Sequence, residues 1–385
     1  MFLRNIKIEN FRNIRELEVE FTSPYNFLFG ENAQGKSSFL EALFCLSMGK
    51  SYCAQAESEV MRWGSDYAKV SAVIEKQSLS IPVEINYRKQ ENEARINKNI
   101  RINNKACHRA ADLIKNTFFI HFSPHDFNLI NGGASFRRKF LDFLTTQLYP
   151  VHLPNLLTYN KCVAQRNALL KMPRPSINNI AVWNEQLIKT GSPVISKRLS
   201  ALKKFMPVLT ENTRKFFLET ESVSALYASS LGDISPDSGL KEICELLRNK
   251  LKYIFTEEMR RKMTLLGPHR DDFTIYINNK EARSFASFGQ QHALALALKL
   301  SQSKLIRKEL GQTPVLLLDD CFVGLDKGRK TMIWNMLKDE ASGQIFITSP
   351  VATELELEKE ENLSLYIVKS GEITGNKIYA GSGLC

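Results

Sequence analysis

Gly30-Glu31-Asn32-Ala33-Gln34-Gly35-Lys36-Ser37 fits, without a mismatch, the phosphate-loop pattern of two glycines five apart followed by Lys and Ser. The residues on either side supply the structural context. Ahead of it, Asn26-Phe27-Leu28-Phe29 is a short apolar run suited to a buried parallel strand. Behind it, Phe39, Ala42, Leu43 and Leu46 recur at helical spacing. A loop joining a strand end to a helix start offers free backbone N–H groups and the positive end of the helix dipole to an anion. Gly30 and Gly35 allow the backbone conformations and close approach that a Cβ would obstruct. The expected ATP-binding set is therefore Gly30, Glu31, Asn32, Ala33, Gln34, Gly35, Lys36, Ser37 and Ser38. Lys36 is expected to reach the β- and γ-phosphates and to face its ligand rather than pack, and Ser37 to ligate Mg²⁺.

Far downstream, Val315-Leu316-Leu317-Leu318 reads as a buried strand that ends in Asp319-Asp320. Such an ending is common, and an acidic pair also serves as a helix cap. Its meaning comes from pairing with the phosphate loop. Asp319 is then placed to hold the hydration shell of Mg²⁺, and Asp320 to polarise the attacking water. Between the two motifs lies Ser287-Phe288-Gly289-Gln290, just ahead of an apolar helix. Two halves of one nucleotide site thus stand at opposite ends of the chain, with a long insertion between them.

The chain has 385 residues, enough for two or three domains, and 43% of them are hydrophobic. With 19 Gly and 13 Pro, this is the composition of a folded protein. No apolar run approaches membrane-spanning length and the start, Met1-Phe2-Leu3-Arg4, lacks a secretory core, so a cytoplasmic protein without a membrane partner is expected. Seven scattered cysteines with no C-x-x-C pair read as reduced thiols. His121 and His125 have metal-like spacing, but Pro124 between them argues against a helical ligand pair.

Net charge is +11, and residues 136–262 hold 21 Lys and Arg against 11 Asp and Glu, so nearly all of the excess lies there. Arg137-Arg138-Lys139, Lys197-Arg198, Lys203-Lys204, Arg214-Lys215 and Arg260-Arg261-Lys262 are its clusters. This concentration suits a polyanion, with phosphates as the natural partner, although a solvated helix surface can be basic too.

Periodicity divides the chain into three parts. Ile6 and Ile8, then Leu17, Val19 and Phe21, alternate as strands, as do Val70–Val73 and Ile81–Ile85. Turns are expected at Asn97-Lys98-Asn99 and Asn103-Asn104-Lys105. From Phe136 to about Lys262 the pattern is helical, with stripes Phe136, Phe140, Phe143, Leu144 and Leu240, Ile243, Leu247, Leu251, Ile254. Prolines 173 and 175 and the polar stretch from Ser229 to Gly239 break this region into several helices. Strand alternation returns at Phe273, Ile275 and Ile277, and the strand Ile345-Phe346-Ile347 and a hairpin through Lys369-Ser370-Gly371-Glu372 follow. The expected domains are a head lobe 1–134, a basic helical arm 135–262 and a second head lobe 263–385.

On these residues the chain resembles the RecF family, bacterial DNA-repair ATPases with an ABC-type head. The resemblance covers nearly the whole length and rests on Phe11-Arg12-Asn13-Ile14, Trp63-Gly64, Ser123-Pro124 and Asn131-Gly132-Gly133. It extends to Arg137-Arg138-Lys139-Phe140-Leu141-Asp142, Gln165-Arg166-Asn167, Gly267-Pro268-His269-Arg270-Asp271-Asp272 and Gly289-Gln290-Gln291. It implies an α/β fold, a P-loop ATPase head of Rad50 and SMC type, with a compact helical arm inserted between its lobes. Two subunits would sandwich ATP and Mg²⁺, each offering Ser287, Gly289 and Gln290 to the other's phosphate loop. Asp320 would be the catalytic base, and Asp319 with Ser37 the Mg²⁺ ligands. The homodimer would bind gapped or single-stranded–duplex DNA, with RecR and RecO as partners, in repair, recombinase loading and SOS induction. Departures are Phe288 at a position usually small or polar, Cys53 where the family often has Arg, and Val323-Gly324 ahead of Leu325-Asp326 in place of Ser-Glu. Thr348-Ser349 stands where transporter cassettes carry His, so a slow, DNA-dependent ATPase is expected.

A tether of Rad50 or SMC type would need a long heptad run between the lobes, and none is present. The competing reading from another class is a defence-type ABC ATPase that regulates a partner nuclease or toxin.

Overall fold

The computed structural model describes residues 1–90, 96–107, 110–214, 216, 221–325, 327–340, 343–350 and 362–379. Asp326 and Lys215 from the sequence reading, and the last of the seven cysteines, Cys385, lie outside them. Two compact units emerge, residues 1–126 with 306–385, and residues 127–305. The sequence reading had drawn its lines at 134/135 and 262/263.

The first unit opens with β1 (Phe2–Phe11), β2 (Ile14–Glu20), β3 (Tyr25–Phe29) and α1 (Lys36–Met48). It continues through β4 (Tyr67–Lys76), β5 (Leu79–Lys89), β6 (Ile96–Ile102), β7 (Lys105–Ala106), α2 (Ala110–Asn116) and β8 (Phe119–Phe122). An antiparallel sheet in the order β2-β1-β4-β5-β6-β7 buries one face, where Ile6, Ile8, Val70, Ile74, Val83 and Ile85 are inaccessible. Leu3 is buried as well although it breaks the alternation, because the β1–β4 register shifts between Leu3 and Asn5. The turn expected at Asn97-Lys98-Asn99 is instead strand. These residues pair with Arg88, Tyr87 and Asn86 of β5, and cross-strand pairing overrides the turn preference of asparagine. The next asparagines, Asn103 and Asn104, do make a turn, with left-handed φ values of 51° and 62°.

The second unit carries α3 (Asn128–Asn131), α4 (Ala134–Leu148), α5 (His152–Leu170), α6 (Ile177–Thr213), β9 (Val223–Ala228) and α7 (Leu240–Arg261). Then come β10 (Asp272–Ile277), β11 (Lys280–Glu281), α8 (Ala282–Phe285) and α9 (Phe288–Leu310), whose last turns return the chain to the first unit. The region read as wholly helical therefore holds a strand. Val223, Ala225 and Tyr227 alternate with Ser224, Leu226 and Ala228, and β9 pairs antiparallel with β10 along its length. Two cores form here. Phe140, Leu144, Phe205, Phe273 and Leu298 build one, and Tyr159, Leu187, Ile195, Ile243 and Leu247 the other. Trp183 packs, partly buried, on the second.

The first unit closes with β12 (Val315–Leu318), α10 (Lys327–Glu340), β13 (Ile345–Ser349), β14 (Leu363–Lys369) and β15 (Glu372–Tyr379). Its second sheet runs β15-β14-β3-β13-β12-β8, all parallel except the β15 hairpin strand. β8, β12 and β13 are buried throughout, so β12 reads as an unbroken apolar run, while β8 and β13 also bury the polar His121, Thr348 and Ser349. Helix α1 contacts β1, β4 and β5 of one sheet and β8, β12 and β13 of the other. Nearly every side chain it carries is buried, as befits a helix apolar on all sides. Among the described residues, no helix is long and apolar enough to cross a membrane.

Candidate functional site

Parallel strands deliver functional groups from their C-terminal ends, and here three neighbouring strands, β3, β13 and β12, end together. The chain leaves β3 at Gly30, where a Cβ would lie 2.2 Å from the Val368 carbonyl oxygen. That contact is with backbone, so only glycine fits. At the other end of the loop Gly35, with φ at 112°, begins α1 without any side-chain cap. The first N–H groups of α1 are thereby left for an external acceptor.

The loop is braced from outside. Gln34 accepts from Gly371 N at its carbonyl and from Ser370 N at Oε1, both at 2.7 Å, which ties the loop to the β14–β15 turn. Asn13 Nδ2 donates to the Ala33 carbonyl at 3.1 Å. Lys36 Nζ lies across the loop, donating to the carbonyls of Gly30 (2.6 Å) and Glu31 (2.9 Å). It is buried, which corrects the expectation of an unpacked lysine: the loop's own carbonyls hold the ammonium.

Asp319 and Asp320 follow β12. Ser37 Oγ donates to Asp319 Oδ1 at 3.0 Å, and Thr348 Oγ1 donates to the same oxygen at 2.6 Å. The Thr348 hydroxyl in turn accepts from Asp320 N at 3.0 Å. One threonine from β13 therefore fixes both aspartates, a role that spacing in the sequence could not reveal. Burial raises the Asp319 carboxyl above its ordinary value, and the bonds from Thr348 and Ser37 work against that rise. Asp320 sits in left-handed backbone, φ 48°.

A cleft of about 710 Å³ opens over these groups, lined by Arg12, Asn13, residues of the loop, Arg62, Trp63 and Asp320. Arg12 is fixed by a bidentate pair with Glu41 (2.7 and 2.9 Å) and by the Glu59 carbonyl at 2.6 Å. Cys53 Sγ accepts from Arg12 at 3.4 Å and from Ser51 Oγ at 3.6 Å. Trp63 is 99% exposed on a turn closed by Ser65 N to the Arg62 carbonyl. The sequence reading had noted it only as part of a shared string. Nearby, Gly324 has φ 77° and Val323 is exposed.

Ser287, Gly289 and Gln290 belong to the other unit and are not gathered with the phosphate loop in either one. Ser287 N donates to Gln290 Oε1 (2.8 Å) and Gln290 N to Ser287 Oγ (3.3 Å), a reciprocal capping box that starts α9. Ser287 and Phe288 are exposed, with Phe288 edge-on to Phe127.

Comparison with known proteins agrees in extent and fold. The model of the RecF/RecN/SMC N terminal domain matches residues 2–374. The DNA replication and repair protein RecF of Oenococcus oeni is 33% identical over 97% of this chain and 99% of its own. A solved structure of the recombination mediator protein RecF-ATPrS of the RecFOR pathway superposes with a TM-score of 0.87 at 30% identity, covering 97% of each chain. An Smc head structure at 11% identity has a TM-score of 0.54 over 97% of this chain and 96% of that one, a likeness of fold. With its phosphate loop, the neighbouring Asp319 and this near full-length likeness, the chain belongs to the RecF/RecN/SMC N-terminal domain family and has an ABC-type ATPase head.

Proposed function

We propose that this protein is an ATP-gated DNA-binding protein of replication and recombinational repair, of the RecF kind, acting in the cytoplasm. The observation that carries the reading is the contact of Ser37 with Asp319 beneath the phosphate loop. Adjacent ligands of octahedral Mg²⁺, each about 2.1 Å from the ion, lie roughly 3 Å apart. The 3.0 Å between Ser37 Oγ and Asp319 Oδ1 is that spacing, so this pair fits the metal's donor chemistry. Ser37 and Asp319 would hold Mg²⁺ there, and the ion would supply positive charge to offset that of the phosphates.

The chain's own groups do the rest. N–H groups of the loop and of the first turn of α1 cradle the phosphates of ATP, and the Lys36 ammonium exchanges its carbonyl partners for phosphate oxygens. Trp63 offers an aromatic face at the cleft mouth for the base. Asp320, at the same strand end, takes the proton of the attacking water. By analogy with the family, Ser287 and Gly289 complete the site from a second copy, and a homodimer closes on ATP. Hydrolysis then acts as a switch that releases DNA. RecR and RecO are the expected protein partners, by analogy with the RecFOR relative.

Gel-shift binding to gapped duplex DNA, with and without ATP at a stated salt concentration, tests the reading. A shift that depends on ATP and favours the gapped duplex over fully paired DNA is expected. Equal binding in both nucleotide conditions, or none, would overturn it.

A further inference from the structure

Part of the basic charge in residues 136–262 is already matched within the fold, in ion pairs of Arg137, Arg166, Arg198, Lys203, Arg248, Arg260 and Arg261. Arg260 and Arg261 both clamp Glu257, and their hydrogen bonds hold its carboxyl down to about 2. Lys203 pairs with Asp237 and Arg248 with Glu185. Arg137 is buried and bidentate to Asp272, as Arg198 is to Asp142. Arg138 and Arg270 are different. Arg138 Nη1 donates to the Asp271 carbonyl at 2.8 Å, and Arg270 donates twice to the Thr264 carbonyl, at 3.0 and 3.2 Å. Neither has a carboxylate at ion-pair distance among the described residues.

Both guanidiniums are therefore aimed by main-chain oxygens of one loop, Thr264–Asp271, and neither is closed off by a direct carboxylate pair among the described residues. The loop itself is stiff. Gly267 has φ 118°, and a Cβ there would meet the Tyr159 hydroxyl at 2.3 Å. Asp271 accepts from Tyr227 Oη (2.6 Å), Ser230 N and Ser230 Oγ (both 2.7 Å). Arg198 Nη1 adds a third guanidinium, on the Pro268 carbonyl at 2.6 Å. His269 is neutral: burial first, then the charges of Arg270, Arg138 and Arg198, bring it down to about 4. Asp142, Asp271 and Asp272 face Arg138 but are each engaged by other donors, and burial with the charge of Arg198 lowers Arg138. An anion beside Arg138 would relieve that cost.

The stripe continues along α4. Arg138 and Asp142 stand at i and i+4 on one face of the helix, and Tyr149 follows as its C-terminal cap residue. Lys197 Nζ lies 4.9 Å above the Tyr149 ring and likewise has no carboxylate partner among the described residues. We infer that Arg138, Arg270 and Lys197 form a track for the sugar–phosphate backbone of DNA, positioning the duplex without reading its bases. Arginines held by carbonyls, with no carboxylate bound, are preorganised for phosphate oxygens. This inference rests on the DNA-binding reading above.

The test is fluorescence anisotropy of a labelled gapped duplex with ATP, over a series of salt concentrations, for the parent and for Arg138→Gln/Arg270→Gln/Lys197→Gln. Each lost phosphate contact should make the slope of log affinity against log salt shallower by about 0.9, so about 2.7 for the triple variant. Arg138→Lys/Arg270→Lys/Lys197→Arg should keep the parent's slope. Should the triple variant fail to fold, Arg270→Gln alone, at an exposed side chain, should still lose about 0.9. A folded variant with the parent's slope and affinity overturns the track while leaving the DNA-binding function standing. A parent that binds no duplex with ATP overturns both. Tighter binding of polyglutamate than of duplex at equal salt, lost in the triple variant, would assign the surface to an acidic protein instead. Competition by inorganic phosphate at constant ionic strength as strong as by duplex, mole for mole, would reduce it to a free-phosphate site.

Discussion

Asp320 adopts a backbone conformation that most side chains avoid, φ 48°, and asparagine is among the few residues that share it readily. Asp320→Asn therefore keeps the local fold and removes only the ability to take a proton. ATP binding should be close to that of the parent, while single-turnover hydrolysis should fall roughly 10²- to 10⁴-fold. A hydrolysis rate equal to the parent's would place the base elsewhere. At this scale the sequence was informative where neighbours in space are neighbours in the chain. Gly30 to Ser38 are consecutive, so their pattern was readable directly. Thr348 was not readable in the same way, because its bonds to Asp319 and Asp320 exist only once β12 and β13 lie side by side.

Helices α5 and α7 are joined by a buried ion pair. Arg166 and Glu258 are each 0% exposed, with Arg166 also donating to Asn184 Oδ1 (2.8 Å) and Thr264 Oγ1 (2.9 Å). Glu258 Oε1 accepts from Leu265 N at 2.8 Å. Glu258→Ala would strand a guanidinium in the core and should cost about 3–5 kcal/mol, read as a lower urea midpoint. Glu258→Gln, which retains an acceptor, should cost less, and equal losses for the two would show that packing rather than the pair is responsible. The same elements explain why net charge overstates the free cationic surface of the arm. Arg137, Arg166 and Arg198 count as basic in the sequence, yet each is buried against an acid. Likewise β9 was overlooked because its six residues lie between long helical patterns, and its partner β10 comes 44 residues later, where Phe273 faces Tyr227.

For the whole molecule, the decisive matter is whether Ser287 serves the phosphate loop of its own chain or that of a second copy. Lys36→Ala and Ser287→Arg should each abolish hydrolysis, the second also losing a helix cap of about 1 kcal/mol. Mixed in equal amounts, they should regain about a quarter of the parent's rate, since half of the symmetric dimers are mixed and each of those holds one intact site of two. No recovery in a mixture shown to contain mixed dimers would mean that each site is completed within its own chain. A different consequence follows from the central place of β3. Its two sheet neighbours, β13 and β14, and the turn at Ser370 and Gly371 that braces Gln34, all come from the far end of the chain. On the ribosome, the phosphate loop is made early and stays without its supports until residue 371 has emerged. At typical elongation rates this interval is about 20 to 70 s. During it the nascent chain carries the nucleotide motif without its braces, so capture of ATP waits for β13, β14 and the turn at Ser370 and Gly371.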